Sequence, residues 1–83
     1  MLEKETEFIL RRLLNKRRIG RKHTEEKNEL RWAKNLPVDR QRLLWEQYEQ
    51  CVKNGLILRQ KKNNQVHISL NPKKLPEIYR LVE

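Results

Sequence analysis

Glycine and cysteine are scarce in this 83-residue chain, with two of the former and one of the latter, and each shortage removes a class of chemistry. Two glycines cannot build a glycine-rich phosphate loop. Cys51 alone cannot form an intrachain disulfide; two isolated histidines, His23 and His67, with no acids paired at ligand spacing, argue against a zinc site. No nucleophile with a nearby base can be assembled, so neither catalysis, a cofactor nor a small-molecule ligand is expected. No apolar run reaches the roughly 18 residues of a membrane span, and the charged start Met1-Leu2-Glu3-Lys4-Glu5 does not resemble a signal peptide. The expectation is a soluble, cytoplasmic protein without membrane contact.

Acidic residues are the next shortage. Twenty Lys and Arg face eleven Asp and Glu, a formal charge of +9. That excess favours a polyanionic partner, because displacing counterions condensed on phosphates drives binding without any reading of sequence. The excess is uneven: residues 1–37 carry a net +5, residues 38–54 a net 0 and residues 55–83 a net +4. With 36% hydrophobic residues the chain can bury one core, so a single domain over residues 1–83 is expected.

Periodicity orders that domain. Ile9, Leu10, Leu13 and Leu14 share one stripe of a first helix over residues 4–18, acids early and bases late as the helix dipole favours. Phe8 lies about 170° from that stripe, and cover by the C-terminal segment is the preferred reading; a subunit contact with Met1 and Leu2 would make a homodimer. Gly20 ends the first helix, and Thr24 is expected to cap a second over residues 25–34. Trp32 is turned away from Leu30, placed to cover Phe8, stack on a base or meet a partner. After Pro37 a third helix presents Leu44, Trp45, Tyr48, Cys51 and Val52 inward and stops at Gly55. Alternating strands are expected over residues 56–60 and 65–70, turning at Asn63-Asn64, with a short helix from about Leu75.

A helix running from Leu44 through Lys53-Asn54-Gly55 into Leu56-Ile57, then Val66-His67-Ile68-Ser69-Leu70, resembles winged helix-turn-helix domains of the small bacterial and archaeal regulator type. The resemblance implies an α+β fold, with a three-helix core, a two-stranded β-hairpin wing and a short C-terminal helix. It implies a double-stranded DNA binder, a transcriptional regulator or architectural protein. The third helix would be the recognition helix, offering Arg40, Gln41 and Arg42 to base edges.

The wing would clamp phosphates through Arg59, Lys61 and Lys62, and the bend after the first helix would add Arg17, Arg18, Arg21 and Lys22. Three acids on the outward side of the third helix, Asp39, Glu46 and Glu49, run against that role. They keep two alternatives in view, a protein-interaction module docking at Leu43, Glu46 and Glu49, and an RNA-binding ribonucleoprotein component.

Overall fold

The computed structural model describes residues 2–83, so Met1 and any contact it makes lie outside the described residues. Among them the chain forms four α-helices, α1 (Lys4–Asn15), α2 (Glu26–Leu30), α3 (Val38–Lys53) and α4 (Leu75–Val82), and three strands, β1 (Thr24–Glu25), β2 (Ile57–Lys62) and β3 (Gln65–Leu70). The strands make one antiparallel sheet in the order β1-β3-β2. Among the described residues no helix is long and apolar enough to cross a membrane.

The apolar stripes meet where the sequence directs them. Ile9, Leu10 and Leu13 of α1, Leu44, Tyr48 and Cys51 of α3, Ile57, Ile68 and Leu70 of the sheet and Ile78 and Val82 of α4 build one core. Burial holds the Cys51 thiol protonated, its pKa pushed up to about 11, as suits a packing residue. Each such side chain contributes about 1.5–3 kcal/mol by leaving water.

Several expectations change in detail. The first helix stops at Asn15 instead of running on to Arg18, because Arg17 turns into the left-handed region (φ 55°) while its amide and that of Arg18 bond the carbonyls of Leu14 and Leu13. This is a helix-closing turn ordinarily given to glycine. Thr24 does not cap α2; it lies in β1, opposite Ile68, a strand too short to show as alternation in the sequence. The second helix tightens at Arg31 into a 3-10 segment, Arg31–Asn35.

Phe8 is not covered by the C-terminal segment. Trp32 meets it edge to face at 5.1 Å between centroids, while the indole N–H donates to the Glu29 carbonyl at 2.7 Å.

The hairpin forms as read, except that its first strand begins one residue later than expected and runs two residues further, to Lys62. Asn63 and Asn64 both take positive φ, 49° and 67°, which a two-residue type I′ turn requires. Gly55 (φ 80°) closes α3, and Asn71 ties the hairpin foot to that corner by donating its amide to the Gly55 carbonyl at 2.8 Å.

Candidate nucleic-acid interface

Pairing within the chain decides which charges are left for a partner. Arg12 of α1 and Lys16 just after it both reach the buried carboxylate of Glu29, each at 3.1 Å, and Arg11 pairs with Glu7. Arg40 and Arg59 are bound by carboxylates, and Lys74 sits near Glu77. The other fourteen Lys and Arg form no ion pair among the described residues, against four acids, Glu25, Asp39, Glu46 and Glu83, in the same state.

The first turn of α3 does not offer three side chains outward. Arg40 points at α1, with Nη1 at 2.9 Å from Glu3 Oε1 and Nε at 3.1 Å from Glu5 Oε2. Its bonds draw the Glu5 carboxyl below the usual carboxylate range, and the two acids raise Arg40 in turn. Gln41 is turned to the preceding bend, donating to the Leu36 carbonyl at 2.7 Å and to that of Lys34 at 3.2 Å. Of the expected trio only Arg42 is exposed and unpaired. Helical geometry sets it on an outward stripe with Val38, Glu49 and Trp45, the last expected to face inward and instead exposed at the edge of the core.

Arg59 is likewise engaged. Glu49 grips it at 3.0 and 2.6 Å, Glu26 accepts from its Nε at 3.0 Å, and its guanidinium lies 5.4 Å from the Tyr48 ring. The Glu49 carboxyl is pulled down by that bond. One of the three acids that stood against DNA contact is therefore neutralised inside the molecule. Glu46 borders a separate hollow with Gln50 of α3 and Glu77 of α4, away from the groove that holds Trp45.

Strand register separates the two hairpin lysines. Lys61 is opposite Val66, on the sheet face shared with Ile57, Ile68 and Arg59, which turns toward the helices. Lys62 is opposite Gln65 on the other face, with Gln60 and His67. On that outer face His23 and His67 meet Nδ1 to Nδ1 at 2.8 Å. Gln65 Oε1 takes the Nε2 proton of His67 at 3.2 Å, which leaves the His67 Nδ1 bare to accept from His23. Burial first, then His67, Lys62 and Arg18, hold His23 below its ordinary pKa.

The basic bend belongs to the hairpin's foot. Arg18 and Gly20 exchange backbone bonds with Leu70, five residues along β3 from Gln65, so the bend and the hairpin tip stand roughly 17 Å apart along the strand. Arg17 and Lys22 line a hollow with Tyr79 of α4, and Arg21 is exposed and unpaired. The ten residues expected to bind nucleic acid thus do not form one patch.

The structure also assembles a row that the sequence reading did not single out. Lys27, Arg31 and Lys34 line a groove of about 410 Å³ whose floor is Leu30 and Ala33 and whose far wall is Gln41 and Trp45 of α3. None of the three makes an ion pair; Arg31 only accepts orientation from Asn28, donating to its Oδ1 at 2.9 Å. Lys27 also borders a hollow with Glu25, Glu26, Asn64 and Val66, and Val66 is the cross-strand neighbour of Lys61, so the end of the row lies beside the hairpin tip with two carboxylates between them. The i, i+4, i+7 spacing of Lys27, Arg31 and Lys34 is the signal for this row in the sequence. Comparisons of the chain with protein families, with curated proteins and with solved structures find no match.

Proposed function

We propose that the protein is a winged helix-turn-helix binder of double-stranded DNA, acting as a regulator or architectural component. The order helix, short strand, helix, helix, hairpin, with the small strand pairing beside the hairpin, supports that reading of the fold. The observation that carries the function is the unpaired row Lys27, Arg31 and Lys34 facing Trp45 across one groove and meeting the hairpin at its end.

The row is roughly 12 Å long, from the rise of an α-helical turn followed by a 3-10 one. A DNA strand carries a phosphate about every 3.4 Å of axis, so three or four fall under it. With the backbone held there, the outward stripe of α3 lies toward the bases. Arg42 is its one unpaired cation and bonds a guanine edge, while Val38 (74% exposed) and Trp45 (39%) offer apolar contact to thymine methyls and sugars. Lys61 adds a phosphate from the hairpin side. Arg40, Gln41 and Arg59 hold the platform: they fix α3 against α1, the turn before it and the hairpin beside it.

Four backbone cations, Lys27, Arg31, Lys34 and Lys61, give a slope of log K against log salt of about −3.6. Changing Lys27, Arg31 and Lys34 to alanine together should make that slope shallower by about 2.7, read by fluorescence anisotropy on a labelled duplex. A duplex left unbound at low salt, or a triple variant with an unchanged slope, counts against the proposal. Structured RNA bound more tightly than duplex DNA at matched salt would move it to the A-form alternative.

A further inference from the structure

We infer that the cleft between α1 and α4 is a second nucleic-acid site, for an unpaired strand, distinct from the duplex face. Its main hollow measures about 650 Å³ and is lined by Leu14, Asn15, Arg17, Ile19, Lys22 and Tyr79. A smaller one, about 360 Å³, continues it past Tyr79 toward Arg11 and Glu83, where, among the described residues, the one carboxylate of the cleft stands at its far end. The lining of the main hollow contains two cations and no acid. Neither Arg17 nor Lys22 pairs with any described carboxylate.

Two observations single this cleft out. Tyr79 is 53% exposed beside a half-buried apolar floor, Leu14 and Ile19, so an aromatic face stands open over a surface that would otherwise be covered. Arg17, beside it, holds the left-handed φ of 55° that glycine adopts freely and a branched-β or long side chain adopts at a cost of about 1 kcal/mol or more. A glycine would close α1 without that cost. What arginine adds is a guanidinium in the cleft.

The occupant follows from shape and charge. A duplex keeps its bases stacked on one another, so an open aromatic ring beside a hollow has no base face to stack on. An unpaired strand can lay one base on the Tyr79 ring over Leu14 and Ile19 while its flanking phosphates run between Arg17 and Lys22. Stacking on an aromatic ring with cations along the backbone is how proteins hold single strands regardless of sequence. Asn15 supplies an uncharged donor and acceptor for a base edge. The cleft is on a different side of α1 from the duplex face: Arg12 of α1 and Lys16 at its end reach Glu29 of α2, whereas Leu14 and Asn15 line a hollow with Tyr79 of α4. A chain with both sites would sit where duplex and unpaired strand adjoin.

The test is fluorescence anisotropy with a short labelled oligothymidine at low salt. Binding is expected, weakened by about 5- to 150-fold in Tyr79→Ala and kept in Tyr79→Phe. Arg17→Gly is expected to weaken it several-fold while the melting temperature holds or rises, a combination that a purely helix-closing arginine would not produce. Failure to bind oligothymidine overturns the inference. So does a Tyr79→Ala variant of unchanged affinity, an oligoglutamate bound equally well through Tyr79, or a duplex that displaces oligothymidine one for one. The inference stands apart from duplex binding: oligothymidine held through Tyr79 by a chain that ignores duplexes would uphold the cleft and sink only the duplex proposal.

Discussion

Arg40 of α3 is joined to Glu5 of α1 by two bonds, Nε to Oε2 at 3.1 Å and Nη2 to Oε1 at 2.5 Å, while its remaining nitrogen reaches Glu3. A side chain placed by sequence in the first turn of a DNA-reading helix is thereby a clamp between two helices. Gln47 makes the same join two turns on, accepting from the Thr6 hydroxyl at 2.8 Å and the Glu3 amide at 2.9 Å.

Arg40→Ala should therefore act on stability before binding. It leaves Glu5, with a side chain only 10% exposed, without its cation, and the melting temperature should fall by about 5 °C. Duplex affinity measured well below that melting point should change less than Arg42→Ala changes it. Thermal denaturation followed by circular dichroism, with anisotropy on the same samples, checks both halves.

Lys61 and Lys62 should separate in the same assay. Lys61 shares its sheet face with Val66, which borders the same hollow as Lys27, so Lys61→Ala should make the salt slope of duplex binding shallower by about 0.9. Lys62→Ala, on the opposite face beside His23, should leave that slope nearly unchanged. Equal effects from the two would mean that the duplex touches both faces of the hairpin.

Stability should fall on mild acidification. Because folding holds His23 below the 6.5 of a free imidazole, the unfolded chain takes up the proton first, and stability present above pH 6.5 declines as pH drops through the weakly acidic range. Protonating both rings would place two N–H groups face to face at 2.8 Å, with Lys62 and Arg18 adding like charge and Glu25 opposite His67 in the register. A second decline follows below about pH 4.5, where Glu5 and Glu49, both held low by arginines, are neutralised. Melting curves between pH 7.5 and 5 should lose their slope in His23→Gln, whereas the lower decline should persist.

Asn64→Gly should stabilise the chain. Asn64 sits at φ 67° as the second residue of the hairpin turn, the position where Asn-Gly is the favoured pair. A gain of up to about 1 kcal/mol is expected, seen as a raised urea midpoint with an unchanged m value.

Local pattern determined much of this protein. The stripe Ile9, Leu10, Leu13, the inward residues Leu44, Tyr48 and Cys51, the stop at Gly55 and the alternation through Ile68 and Leu70 are short-range signals, and each element they imply is present. The excess of positive charge is also a property of composition alone. Tertiary structure decided which charges remain available. An ion pair such as Arg40 with Glu5, 35 residues away, or Arg59 with Glu26, 33 away, depends on where packed elements place side chains, and no spacing along the chain encodes it. The same holds for the two-residue strand at Thr24, which exists only because β3 lies beside it to complete its hydrogen bonds. Periodicity speaks of neighbours within a turn or two, while a binding surface is made of residues that the core brings together from afar.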